Sequence, residues 1–330
     1  MTKNHVGSQN DVYKLQLFKN AIAVSHVTDD DLIRLKKDSP ADMVRLSAAG
    51  MEAQIEQNLY LEKNNFFNRS PSFNSFIYFY NTISVYGYIS SCGQKSSTQF
   101  TMDQNKDDGT DVSARDFTGL DCLGWVYDLY RPDEPYQSRG VHPSGIGIDR
   151  YRTLENLTEE EKSFLRKQAG LSALNFIDPF IFGKNDFKNQ IGGEDIVWNA
   201  KLQHFLTSFG YDIAAVVFLK FREKNWLLKS HQYFNTKRYF PGFSVELYKW
   251  AFSDQWSLSP ELAFWEQPAE QRYDSVKGTL GASFELTAYY KYSDSVQPFV
   301  AAAVKDQGWK PGNVDLGRSF NLGTGFSLVF

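Results

Sequence analysis

The final stretch, Arg318 to Phe330, constrains the fold more than any other part of the chain. Phe320, Leu322, Phe326, Leu328 and Phe330 share one parity, interrupted only by Thr324. Ser319, Asn321, Gly323, Gly325 and Ser327 occupy the other, followed by Val329. A period of two places the sets on opposite faces of a β-strand. One face is therefore apolar and aromatic, the other small and polar.

The rest of the composition narrows the choice. The chain has 330 residues, enough for one large domain or two ordinary ones. Aromatic residues make up 16%, led by 27 Phe and 18 Tyr. Mean hydropathy is nevertheless −0.43. No apolar run approaches the roughly eighteen residues a transmembrane helix needs. Aromatic richness with hydrophilic averages fits a transmembrane barrel, in which lumen and lipid positions alternate. It also fits a water-soluble β-rich domain with an aromatic core. The net charge of −4 comes with dispersed Lys and Arg, which gives no basic stripe for nucleic acid. Cys92 and Cys122 have the option of a bridge in an oxidising compartment. There is no CxxC or Cys/His cluster for zinc, no phosphate-binding loop and no dinucleotide fingerprint, so no metal or cofactor is expected. Met1–Asn10 is polar and no apolar stretch follows, so no secretory signal is visible in the chain as written.

Along the chain, residues 12–27 read as extended structure. Thr28 followed by three aspartates reads as a helix N-cap. Pro40 at a first helical position restarts the helix, so 29–62 reads as one or two helices. Residues 73–90 are dense in aromatic and β-branched side chains and read as strand. Residues 93–116, rich in aspartate, read as an exposed loop. Thr158 with Glu161 forms a capping box, with Gly170 at the expected helix end. Strands are expected at about 195–208, 211–221, 226–235, 242–252, 256–265, 276–292, 295–305 and 318–330 from alternation and turn residues. Six tryptophans, Trp198, Trp226, Trp250, Trp256, Trp265 and Trp309, lie near these strand ends, as in an interfacial aromatic belt.

The terminal strand ending on Phe resembles the closing strand of bacterial outer-membrane β-barrel proteins. That resemblance implies an all-β fold, an antiparallel transmembrane β-barrel of about 10–12 strands, with an N-terminal helical segment and a partly helical central insert. The expected organisation is a tail with a strand at 1–28, helices at 29–64, first barrel strands at 65–100, an insert acting as plug or cap at 101–186, and the main barrel at 187–330. The expected address is the bacterial outer membrane, with membrane lipid as a partner and a small-molecule or lipid ligand inside. Neither the composition nor the resemblance fixes an oligomeric state.

One segment carries candidate chemistry. His142, Ser144 and Asp149 fall within a turn-rich stretch, where a histidine could serve as base for a serine and an acid could orient it. His142-Pro-Ser144-Gly145 resembles the H-x-S-x-G element of outer-membrane phospholipase A at two residues, with the glycine one place early. Candidate ligand-binding residues are Arg150 and Tyr151 in the same stretch, Trp125 and Asp128 in an aromatic-carboxylate cluster, and His231, Tyr233 and Asn235 on one strand parity. The leading expectation is a plugged channel or ligand-binding barrel without catalysis. The alternatives are a membrane-embedded lipid hydrolase using His142 and Ser144, and a soluble lipocalin-like barrel for an apolar ligand.

Overall fold

The computed structural model describes residues 27–68, 74–293 and 296–328. The strand expected in 12–27 lies outside them apart from Val27, as do Val329 and Phe330. Two compact units are present. One combines the described residues up to Ala49 with Gly87–Gly170; the other combines Gly50–Tyr86 with Leu171–Phe330.

The first unit is helical, with α1 (Asp29–Asp38), α2 (Pro40–Leu46), α5 (Lys95–Asp107), α6 (Asp121–Tyr130) and α7 (Glu159–Ser172). Its caps follow the sequence. Asp31 N donates to Thr28 Oγ1 and Thr28 N donates to the Asp31 carboxylate, both at 3.2 Å. Thr158 N donates to Glu161 Oε2 at 2.8 Å, completing the expected box at α7. That helix continues through Gly170 to Ser172 rather than stopping there. The stretch 93–116 is not a loop, because α5 occupies its first half. The buried positions of α5 are Ser97, Thr101 and Asn105, an i, i+4, i+8 stripe made of polar residues. Thr101 Oγ1 donates to Ser97 O at 2.9 Å, so this face is hydrogen-bonded rather than apolar. A hydrophobic-periodicity reading has nothing to detect there. Val27, Leu32, Leu35, Met43 and Tyr136 form the small core. Cys92 and Cys122 are joined as a disulfide, as an oxidising compartment permits.

Asp121, at the start of α6, is pushed up from 3.8 to about 7 by burial, then by Asp116, while a hydrogen bond with Tyr88 opposes the shift. A carboxyl whose folded pKa is raised stabilises the fold below its unfolded value and loses that contribution as pH rises through the folded value. The full chain is therefore expected to melt at lower temperature as pH rises from about 4 through about 7, and Asp121→Asn is expected to flatten that dependence. Coincident pH profiles for the variant and the parent would refute this.

The second unit holds α3 (Ala49–Asn68), most of α4 (Asn74–Cys92), two 3-10 turns at Ala173–Phe176 and Pro179–Phe182, and the sheet. Among the described residues the expected strands within 65–100 are absent, because 74–92 is helix. Tyr78, Thr82, Val85, Ile89 and Cys92 are buried, and their spacing is that of a helix. Aromatic and β-branched density favours strand only weakly, and here tertiary packing of that stripe overrides it. The fold is therefore not all-β.

The sheet has β1 (Phe187–Ile191), β2 (Glu194–Thr207), β3 (Gly210–Phe221), β4 (Lys224–Phe234), β5 (Tyr239–Tyr248), the short β6 (Trp250–Ala251), β7 (Trp256–Pro268), β8 (Gly278–Tyr290), β9 (Val296–Lys305) and β10 (Ser319–Leu328). Among the described residues these ten strands form one antiparallel meander in chain order, with β6 branching from β7. β1 and β10 are its two edges and do not pair with each other, so the sheet is open. Gly192-Gly193 and Arg222-Glu223 make tight two-residue turns with positive φ, the conformation a twisted hairpin demands. Past β1, the edge of β2 is covered: Leu202 N donates to Ile177 O and His204 N to Asn175 Oδ1.

The register divides the side chains cleanly. Phe320, Val304, Phe284, Leu262, Val245 and Leu228 lie opposite one another in turn across six strands, so they share one face. Phe243 and Phe264 form a neighbouring pair on that face. It is uncovered: Phe320, Leu322 and Phe326 are 67%, 69% and 72% exposed, and Leu280 79%. The opposite face carries the helices. Leu59, Phe66, Phe67 and Tyr78 meet Val216, Phe218, Leu227 and Tyr248 in the main core of this unit. The oily parity is thus the bare one, and the polar parity faces inward. Trp198 and Trp226 lie outward near one rim, each opposite Leu219, and Trp256 lies outward near that rim opposite Tyr290. Phe234 and Tyr239 pair on the outward parity at the other rim, where Tyr211, itself buried, stacks on Phe234 at 4.8 Å. Trp265 and Trp309 depart from the expected belt and are buried.

Candidate functional site

The expected catalytic pair is brought together. His142 and Ser144 sit on a tight hairpin closed by the Val141–Ile148 bridge. His142 Nδ1 is 2.9 Å from Ser144 Oγ. Nδ1 also accepts the Ser144 backbone N–H at 3.1 Å, which assigns the ring proton to Nε2. Arg115, fully buried, donates to Ser144 Oγ at 3.0 Å and to the carbonyls of Ile146 and Gly109. Burial first, and the Arg115 cation second, hold His142 below its ordinary pKa. Asp149 does not join them. It accepts from Asn105 Nδ2 at 2.9 Å and lies 3.6 Å from Arg152. Among the described residues the ring of this buried base bonds to Ser144 and to no carboxylate. Both the ring and the hydroxyl are engaged in holding the turn.

Arg150 and Tyr151 are buried in the same unit. Arg150 pairs with Asp29 at 2.9 Å and donates to the carbonyls of Val27, Val112, Arg115 and Asp116. The Tyr151 ring lies against Gly119, where a Cβ would come within 2.9 Å of it. Trp125 is buried in α6 and stacks on Phe164 at 5.8 Å. Asp128 receives two bonds of 2.6 Å from Arg139 and one of 2.9 Å from Lys36. Burial would raise its pKa, but those two cations outweigh burial and hold it below the usual carboxylate range. All four side chains secure the fold.

In the second unit His231 and Tyr233 do share the inner face and stack at 5.3 Å. His231 Nδ1 lies 2.6 Å from Asp212 Oδ2. Asn235 lies apart, in the connection after β4. It accepts from Lys237 N and Arg238 N and donates to Ser275 O.

The largest assembly of chemistry on the inner face was not singled out by the sequence. Glu246 lies opposite Glu261, and Glu261 opposite Glu285, giving a row of three carboxylates across β5, β7 and β8. Like charges in such a row repel unless cations intervene. Lys63 of α3 reaches both oxygens of Glu246 at 3.1 Å. Lys310, from the connection between β9 and β10, lies 3.2 Å from Glu261 and 3.7 Å from Glu285. Burial alone would lower the Lys63 pKa, but Glu246 outweighs it and holds the ammonium above its ordinary range. Lys305 Nζ donates to the carbonyls of Asp306, Gly308 and Gly317, which pins the same connection. Glu52 of α3 accepts from Trp309 Nε1 at 3.0 Å and from Gly312 N at 2.9 Å.

The three glutamates of the row, Lys63, Lys305 and Lys310 line a cavity of about 500 Å³. Glu56, one helical turn beyond Glu52, and Lys229 on β4 also line it. Glu56 is raised above its ordinary pKa, by burial most of all, with Lys229 the leading charge opposing that rise. The signal in sequence was present but faint: Glu246, Glu261 and Glu285 each fall on the inward parity of an expected strand. No protein-family model, curated protein or solved structure matches the chain. The functional reading therefore rests on geometry. Among the described residues no three His, Cys, Asp or Glu side chains gather in a metal-binding group. None of their helices is long and apolar enough to cross a membrane.

Proposed function

We propose that the sheet is the wall of a bacterial outer-membrane β-barrel, with α3 held against its inner face as a plug, and that the protein binds or passes a polar solute without catalysing a reaction. The observation that carries this reading is the uncovered apolar face between two aromatic rims. Soluble monomers rarely expose a contiguous apolar surface of this kind. Leu280, Ala282, Phe284, Leu286, Ala288 and Tyr290 follow one another outward along β8. At about 3.4 Å per residue they span roughly 34 Å of strand, and a tilt of about 40° brings this to roughly 26 Å, close to the ~25 Å apolar band of such barrels. The charged inner face supports the same reading, because a lumen is polar. It does not favour an apolar ligand inside. The cystine fits an export destination. Closure of the open edges is part of the proposal.

The test uses the full chain in detergent and in vesicles. Unboiled protein is expected to migrate differently from boiled protein on a gel. Vesicles of brominated phosphatidylcholine are expected to quench the fluorescence of the outward tryptophans strongly. A chain that stays soluble without detergent, shows no heat-dependent migration and is not quenched would overturn the reading.

A further inference from the structure

The cavity contains two charges of opposite sign that make no direct ion pair among the described residues. Lys63 is committed to Glu246, Lys310 to Glu261 and Glu285, and Lys305 to three carbonyls. Lys229 and Glu56 face the same space and act on each other electrostatically, and Glu261 acts on Lys229 more strongly still. Among the described residues neither forms an ion pair or a hydrogen bond within contact distance. Ser283 also lines the cavity; its residue is buried and its Oγ has no hydrogen-bond partner. Lys229, Glu56 and Ser283 thus offer an ammonium, a carboxylate and a hydroxyl without a direct partner around a space of about 500 Å³.

We infer that this cavity is a binding site for a small zwitterionic amine, with the ligand's anionic group on Lys229, its ammonium on Glu56 and a hydrogen bond to Ser283. Both charged groups of such a ligand replace water with a protein partner of opposite sign. A ligand with a single charge would leave either Lys229 or Glu56, both half-buried, without a direct partner. The lining as a whole strengthens the preference, because its four lysines and four glutamates leave no net charge to attract a simple anion or cation. The volume suits a molecule the size of an amino acid or dipeptide, or the headgroup of an ethanolamine phospholipid. These share the same chemistry and differ in the anionic group.

The inference deepens the solute-binding part of the reading above and rests on it. Calorimetry on the full chain in micelles tests it, with glycylglycine and glycerophosphoethanolamine as probes and acetate and methylammonium as singly charged controls. At least one zwitterion is expected to bind while neither control does, and the better probe identifies the anionic group. Glu56→Gln and Lys229→Gln are each expected to weaken binding about tenfold or more, the loss of a charge-assisted hydrogen bond. The exchange Glu56→Lys with Lys229→Glu is expected to recover part of it, since a zwitterion can reverse. Lys162→Gln, on α7 and paired with Glu159, is expected to leave binding unchanged. Should a single variant fail to fold, the parent's preference for zwitterions over both controls still decides. Absence of binding by either zwitterion, or equal binding of a control, overturns the inference. Heat-dependent migration of the same sample reports separately on the membrane reading, so the two can fail independently.

Discussion

Arginine at both Phe264 and Phe284 is expected to leave the protein unable to enter a bilayer, while the inner face stays chemically intact. These side chains lie on the uncovered parity of β7 and β8, well inside both strands. A single arginine on the lipid face costs about 2–4 kcal/mol at the midplane of a barrel. Two such costs together rival the whole stability of an ordinary domain, about 5–15 kcal/mol. Refolding into vesicles, scored by heat-dependent migration and protease protection, is the measurement. The comparison variant is Ser259→Ala, buried on the inward parity of β7, where loss of a hydroxyl places no charge in lipid. If the arginine pair inserts as well as the parent, the outward face does not meet hydrocarbon. If the same pair instead converts a dimer into a soluble monomer, the bare face is a protein interface. Either result would remove the membrane reading.

The strength of this prediction comes from the part of the fold that sequence revealed best. All eight strands expected beyond residue 194 are present, and their alternation assigns the faces correctly. Period two is a local property, and short turns such as Arg222-Glu223 leave little freedom in how neighbours pair. The helices were less legible. α4 has aromatic and β-branched residues on every side, so its buried stripe of Tyr78, Thr82, Val85 and Ile89 competes with exposed Phe76, Phe79, Tyr80 and Ile83. α5 turns serine, threonine and asparagine inward, which erases the apolar period altogether. The five-residue β1 falls in the expected barrel region, 187–330, but is not itself read as a strand because so short a strand carries little alternation.

The candidate site was harder still, and for a different reason. Residues clustered in sequence, such as His142, Ser144, Asp149 and Arg150, drew attention because proximity along the chain resembles a catalytic arrangement. In space Asp149 is turned to Asn105, and Arg150 holds a set of carbonyls. The cavity draws instead on α3, β4, β5, β7, β8, β9, β10 and the connection before β10, contributed from Glu56 to Gly323. Only the register, which sets Glu246 against Glu261 and Glu261 against Glu285, brings that row into one place. Sequence shows each glutamate on the inward parity, but not that three strands deliver them side by side.

Lys201→Met is expected to be the most destabilising single change inside the second unit. Lys201, on β2, lies 2.6 Å from Glu62 of α3 and 2.8 Å from Asp178 before the 3-10 turn, and all three are buried. Burial most of all, then Asp178, push the Glu62 carboxyl above its ordinary pKa, while Lys201 pulls it down. Methionine keeps much of the side-chain volume but leaves two buried carboxylates facing each other without a cation. Breaking a buried pair in this way costs about 3–5 kcal/mol. The loss is expected to depend on pH. With Lys201 gone, Glu62 is raised further, so its contribution is present below the unfolded value of 4.5 and disappears as pH rises through the raised folded value. The variant should therefore lie closest to the parent in mild acid and fall furthest behind at neutral and alkaline pH. Lys201→Met combined with Glu62→Gln and Asp178→Asn should recover most of the loss. Neutral amides need no cation, and the asparagine side chain retains an oxygen to accept from Phe180 N as Asp178 does. Urea titrations of the full chain across that pH range measure all three proteins. A single variant within about 1 kcal/mol of the parent at neutral pH, or a triple variant no better than the single one, would show that this triad does not tie α3 to the sheet.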